Sequence, residues 1–457
     1  MAMRVIKLGG GSLLEKDQIQ EIISIIIQRG RGNVVVLSGL GGVTDRLSAG
    51  IERALSDEEN IPEVIQELRS MHLPLVDFLI PEPLSRRHTT AALENLFSRL
   101  ERLFFGLTFT GEITPRLKDM ILTFGERLSV TLMTGALKGK GMDAVGCVAD
   151  EIGIISDGHH GNATALMGPT RINLRKKLLP MVKADRSILV TGYFGVSTHG
   201  SVTTFGRGGS DYSAAVIAAA TGAQCLEVWK NVDGFMSADP VFVPEADMIP
   251  ALSYEEAAQL SYFGAKILHP NTVEPLKKSG IPLVIKNTFH PDREGTLITR
   301  KTEHTENVVK SIAHNTDVGV LKIHASGLGA KPGVLGTVAT HLSEKGINIK
   351  SVVTSQTCIS LLLGRADMEQ GYSEIKKIRP RPYVRLEKID DMALIGIVGK
   401  GLAEKKGIAA RVFTAVANSG VNIEMISMGP SRVAYYFMVK EQSLKSTVRA
   451  VHDSFFG

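Results

Sequence analysis

The chain has 457 residues and 46 glycines, a tenth of the total against an average near ~7%, with no period that would suit collagen or a low-complexity tail. A hydrophobic content of 44% and a charged content of 22% describe an ordinary globular protein of about two to three domains. A net charge of +5, one tryptophan and 5% aromatics exclude a nucleic-acid-binding surface while suiting anionic metabolites.

Residues 1–7 lack the apolar core of a signal peptide, and no run approaches the roughly 18 apolar residues of a membrane helix. Cys147, Cys225 and Cys358 lie far apart with neither metal nor disulfide spacing, as thiols kept reduced do. The expectation is a cytoplasmic protein without a membrane partner.

Residues 5–8 form a short apolar run that ends in Gly9-Gly10-Gly11-Ser12. A helix is predicted over residues 15–28, with Ile19, Ile22, Ile23, Ile26 and Ile27 on one face. Gly30 and Gly32 stop it before Val34-Val35-Val36-Leu37, a continuous apolar run of the kind buried in parallel sheets. Similar runs recur at residues 187–191, 225–229 and 283–286. Strands alternating with helices predict an α/β fold, an open and mainly parallel sheet between helices.

Residues 51–122 are helical in pattern and read as an insertion. Leu93, Leu96, Leu100, Leu103 and Leu107 step by threes and fours, the spacing of a helix packing face, with a subunit contact as the sharper alternative. Residues 299–307 are polar and read as a linker. Beyond them the chain repeats itself: residues 333–350 parallel residues 407–424 at a constant offset of 74, matching Gly346 with Gly420 and Asn348 with Asn422. Each copy predicts a strand, a loop, a helix and a strand opening at Asn-Ile. Two copies make a tandem module, not a solenoid.

Phosphate-loop, zinc-protease and nucleophile-elbow motifs are absent. What remains is a set of five short clusters expected at strand ends, the edge where open α/β sheets bind ligands. Lys7 precedes Gly9-Gly10-Gly11-Ser12, where freed amides and an ammonium suit a phosphate, although such turns are common. Ser38-Gly-Leu-Gly-Gly-Val-Thr44-Asp45 follows the second strand, and Phe124-Gly125-Glu126 opens a helix. In Gly206-Arg207-Gly208-Gly209-Ser210-Asp211 the arginine suits a bidentate clamp on carboxylate or phosphate, with Ser210 or Asp211 as helix N-cap; a plain capped turn is the alternative. Trp229-Lys230-Asn231-Val232-Asp233-Gly234 is the fifth cluster. His159-His160 near Asp157 suggests a metal, but the flanking glycines favour a polar loop.

Lys7-x-Gly-Gly-x-Ser12, Ser38-x-x-Gly-x-x-Thr44-Asp45, Phe124-Gly-Glu126, Gly206-Arg-Gly-Gly-Ser-Asp211 and Phe263-Gly-Ala-Lys266-x-x-His-Pro270, in this order, resemble the aspartate kinase family from end to end. The repeated tail resembles two ACT domains, small ferredoxin-like βαββαβ ligand-binding modules. The resemblance implies a catalytic domain at 1–300, a first ACT domain at 316–384, and a second at 301–315 plus 385–457.

It also implies the reaction, phosphoryl transfer from MgATP to the side-chain carboxylate of L-aspartate, with no metal site built from protein ligands. By resemblance Lys7 and the amides of Gly9, Gly10 and Ser12 would hold phosphates. Arg207 would clamp an aspartate carboxylate, Glu126 would take the ammonium, and Ser38, Thr44 and Ser210 would donate to carboxylate oxygens. Asp211 would orient Lys7 or Mg²⁺, while Lys230, Asn231, Asp233, Gly234 and Lys266 would contact nucleotide. An effector, lysine or threonine, would meet Asn348, Ile349, Asn422, Ile423 and Glu424 across a homodimer interface; dimerisation without a ligand is the alternative.

Gly11, Lys230-Asn231, Met236 and Val241 depart from the family's usual residues, and Lys350 stands where an acid commonly faces the effector. The alternatives are a sibling kinase with another acceptor and a catalytically weak effector-binding protein.

Overall fold

Val34–Leu37 is buried along its whole length, so it needs a strand on either side. Arg4–Leu8 pairs with it in parallel on one side and Ser187–Thr191 on the other. The computed structural model describes residues 3–13, 15–265, 267–300, 308–325 and 332–457. They form two compact units: Met1–Phe235 with Pro250–Ala258 and Ile267–Thr302, and Met236–Ile249 with Gln259–Lys266 and Glu303–Gly457.

The first unit is built on an eight-stranded sheet in the order Ala144–Cys147, Ser187–Thr191, Val34–Leu37, Arg4–Leu8, Cys225–Lys230, Leu283–Asn287, Thr296–Thr299, Ala251–Ser253. All neighbours are parallel except Leu283–Asn287 with Thr296–Thr299. The first helix, Lys16–Arg29, begins at a capping box between Glu15 and Gln18. It buries Ile19, Ile22, Ile23, Ile25 and Ile26. Ile27, expected on that face, is exposed, whereas Ile25, not expected there, is buried.

The insertion is helical: Ile61–Leu79, Pro83–Thr110 and Pro115–Leu122. Leu93, Leu100 and Leu107 are wholly buried with Phe97 and Phe104. Leu96 and Leu103 pack partly buried against the same core, so the leucine stripe is a packing face within the unit.

The second unit holds two four-stranded antiparallel sheets. One runs Ile349–Thr354, Cys358–Leu363, Gly319–His324, Arg385–Ile389, and the other Ser311–Asn315, Met392–Val398, Ala434–Lys440, Met425–Ser427. The repeat is visible in space: the helices Val334–Glu344 and Ile408–Asn418 both start after a left-handed glycine, Gly333 at φ +90° and Gly407 at φ +85°.

The boundaries differ from those the resemblance implies in two places. Arg385–Ile389 pairs with Gly319–His324 and so completes the first small sheet, not the second. Met236–Ile249 and Gln259–Lys266 group with the second unit. Ala238 and Val243 are buried in its core with Ile312 and Ala393, and the Phe263 ring abuts Gly396.

Candidate active site

Parallel pairing brings the carboxyl ends of neighbouring strands to one edge, because Leu8 stands level with both Leu37 and Trp229. The glycine turn after Leu8, the turn beginning at Ser38 and the Lys230 side chain therefore meet there. The other two clusters reach the site by different routes. Phe124-Gly125-Glu126 follows the helix Pro115–Leu122 and opens the helix Phe124–Gly139. The Arg207 turn follows Val202–Thr204, a strand of a separate three-stranded sheet.

These pieces enclose a cavity of about 570 Å³, lined among others by Lys7, Gly10, Ser38, Thr44, Glu126, Arg207, Ser210, Asp211 and Lys230. Close backbone approach makes it possible. A Cβ on Gly39 would sit 3.1 Å from the carbonyl carbon of Gly125, so the absence of a side chain at residue 39 lets the turn bearing Ser38 press against the helix bearing Glu126.

Asp211 lies in the first turn of the buried helix Gly209–Thr221. Its N-cap is Gly208, at φ +74°, rather than Ser210 or Asp211. The Asp211 carboxylate is engaged elsewhere: Lys7 Nζ stands 2.6 Å from one oxygen and Lys230 Nζ 2.9 Å from the other. Burial pushes this acid upward, but the two ammonium groups outweigh that effect and hold it near 2.

Glu126 has the opposite balance. It is 3% exposed; Oε1 accepts from the Gly39 N–H at 3.1 Å and from Ser210 Oγ at 3.5 Å, while buried Oε2 has no hydrogen-bond partner among the described residues. Burial raises it to about 7, against the pull of the Gly39 N–H and the more distant Lys7 charge. Arg207 is exposed and, among the described residues, carries neither ion pair nor hydrogen bond. Tyr193 is a further wall residue, at φ +74°, and burial pushes its phenol up to about 12.

The remaining expected residues divide. Gly9 leaves room for the Lys7 ammonium: a Cβ there would lie 3.2 Å from Nζ. Asn231 is exposed outside the cavity lining. Asp233 holds Asn287 Nδ2 at 2.7 Å and pairs with Arg293, and Gly234 packs against Thr296, so these two brace the loop. Lys266 and the Ser12 side chain lie outside the described residues. In the second unit Asn348, Asn422 and Glu424 are exposed, while Ile349 and Ile423 pack against the two small cores. Lys350 Nζ donates to the Asp317 carbonyl at 2.6 Å.

Three contributors escaped sequence reasoning: the Gly39 amide, Tyr193 and buried Asp119. For Tyr193 a signal existed, since Gly192-Tyr193 ends the buried strand Ser187–Thr191. His160 meets Asp119 and His159 meets Asp157; among the described residues no group of three or more His, Cys, Asp or Glu is placed to hold a metal.

Residues 2–287 match the amino acid kinase family and residues 395–455 an ACT domain. The chain is 32% identical over 468 residues to aspartokinase 1, chloroplastic, of Arabidopsis thaliana, covering 99% of this chain and 80% of that protein. Aspartokinase 2, chloroplastic, of the same plant is likewise 32% identical, over 99% of this chain and 84% of its own length. In structure the chain resembles E. coli aspartokinase III in complex with aspartate and ADP, with a TM-score of 0.85, 26% identity and full coverage of both chains. The same enzyme with lysine and aspartate gives a TM-score of 0.84 at 26% identity, again with full coverage of both chains.

If buried Glu126 receives a substrate ammonium, only its ionised form serves, and that form grows as pH rises through about 7. The kcat/KM for the amino-acid substrate should therefore climb between about pH 6 and 8 and level off above, and Glu126→Gln should lack that limb. A pH profile of kcat/KM for both enzymes decides; a parent profile flat across this range would overturn the role.

Proposed function

The chain belongs to the aspartokinase family and is an ATP-dependent aspartate kinase, and from that premise we propose how its residues divide the work. The reaction moves the γ-phosphoryl group of MgATP to the side-chain carboxylate of L-aspartate, giving 4-phospho-L-aspartate, the first step of aspartate-family amino-acid biosynthesis. One observation carries the division. A single cavity holds a buried Glu126 oxygen and an Arg207 guanidinium, both without a partner among the described residues and complements of an amino acid's ammonium and carboxylate, beside an acid held between two lysines.

The acceptor carboxylate has an ordinary pKa near ~3.9 and is ionised at neutral pH, so no base is needed to make the nucleophile. The barrier lies in bringing anions together and in the charge on the transferring group, which makes positioning and preorganised cations the effective catalysts. Lys7 and Lys230 supply two ammonium groups oriented by Asp211. Gly9, Gly10 and the Ser12 backbone offer amides to phosphate. Arg207 clamps an aspartate carboxylate in a bidentate pair, with Ser38, Thr44 and Ser210 donating to its oxygens. Mg²⁺ enters on ATP, retaining waters that Asp211 can hydrogen-bond.

An ATP-dependent hydroxamate assay over a panel of acceptors tests the function: turnover of aspartate is expected, and turnover of another acceptor alone, or of none, overturns it. Arg207→Ala should lower kcat/KM for aspartate at least about tenfold through loss of a charge-assisted pair. Unchanged aspartate kinetics would remove Arg207 from the site. Lys230→Met keeps the aliphatic stem but removes the second ammonium; kcat should fall at least about tenfold, with partial recovery in Lys230→Arg. A Lys230→Met enzyme of parental kcat would limit Lys230 to a partner of Asp211.

We further assign effector binding to the second small module. There Glu424 remains exposed to face an ammonium, whereas in the first module Lys350 takes the equivalent position and reaches Asp317 instead. Lysine or threonine should raise the melting temperature, and Glu424→Gln should abolish the rise; no shift with either amino acid counts against the assignment. A homodimer formed through these modules and a cytoplasmic location complete the proposal. The location rests on three free cysteines; among the described residues no helix is long and apolar enough to cross a membrane.

A further inference from the structure

We propose that Asp119 is a positioning residue for aspartate binding, locking the turn that carries Arg207 to the helical segment that leads into Glu126. The proposal rests on the roles given above to those two residues. Asp119 lies on the helix Pro115–Leu122 and is 1% exposed. Both oxygens are occupied. Oδ2 meets His160 Nδ1 at 2.8 Å and accepts from the Gly161 N–H at 3.0 Å and the Thr204 N–H at 3.2 Å. Oδ1 accepts from the Thr204 hydroxyl at 2.6 Å. A buried carboxylate with this many donors is a strong local constraint, since losing it strands several polar groups out of water.

The constraint points at the substrate cavity from two directions. Thr204 ends the strand Val202–Thr204, and the chain passes from it through Phe205 and Gly206 to Arg207. Gly161, bonded to Asp119, abuts that turn: a Cβ on Gly206 would lie 2.9 Å from the Gly161 carbonyl oxygen. Thr204 is thus held to Asp119 by both its backbone N–H and its hydroxyl, which fixes the end of the strand from which the Arg207 turn departs. Asp119, His160 and Thr204 do not line the cavity, so Asp119 acts through the Arg207 turn.

The test compares Asp119→Asn, Arg207→Ala and the double variant in the full-length enzyme. A displacement of Arg207 by a fraction of an ångström to an ångström should raise KM for aspartate at least about tenfold and KM for ATP less than about twofold. The double variant should lose little beyond Arg207→Ala alone, because the two residues act in series. Additive losses, equal rises in both KM values, or parental aspartate kinetics in Asp119→Asn would each overturn the proposal. If Asp119→Asn does not fold, Thr204→Val carries the test. It removes one donated proton and should give the same selective rise, and an unchanged KM for aspartate overturns the proposal. Arg207→Ala with normal aspartate kinetics faults the assignment of Arg207 itself; a defective Arg207→Ala beside a normal Asp119→Asn faults Asp119 alone.

Discussion

A carboxylate removed from water needs compensating charge, and Asp211 is compensated twice, by Lys7 at 2.6 Å and Lys230 at 2.9 Å. Those three residues come from the first strand, the first turn of a buried helix and a central strand far along the chain. Bringing them together dictates that Arg4–Leu8 and Cys225–Lys230 be neighbours and that the helix Gly209–Thr221 present its amino end to them. The cluster carries one positive charge in excess. That excess faces the same cavity as Arg207, where a polyanionic substrate is to be neutralised.

Glu126 is buried as deeply as Asp211, yet the two acids titrate far apart, at about 7 and about 2. The difference lies in their neighbours: amide and hydroxyl dipoles for one, two full charges at contact for the other. An acid poised near neutrality can remain folded without a counter-ion and still become a carboxylate when an ammonium arrives. The Gly39 amide that bonds it comes this close because residue 39 carries no side chain to meet the Gly125 backbone.

Much of the architecture was legible. Apolar runs such as residues 34–37 announced a parallel sheet, the stepped leucines of Pro83–Thr110 announced a packing face, and the offset of 74 announced two copies of one module. The misreadings share a cause. Ser210 and Asp211 are good capping types, but a left-handed Gly208 caps the helix while a distant pair of lysines claims Asp211. The resemblance places Arg385–Ile389 in the second module, yet the strand pairs with Gly319–His324 of the first, because strand pairing is not written in local pattern. Asp119 sits on an unremarkable helical stretch; its four contacts come from a loop and a strand well downstream.

The chain by itself determined which segments are strands and helices, where glycine lets backbone approach an anion, and which charged residues stand beside those turns. Periodicity and backbone freedom are properties of a few consecutive residues. The tertiary structure alone decided that Lys230 joins Lys7 on Asp211, that Glu126 keeps an oxygen without a partner among the described residues, and that Asp119 meets the strand leading to the Arg207 turn. Those outcomes depend on distance and on exclusion of water, because Coulomb attraction and desolvation act between groups that only the fold brings within a few ångströms.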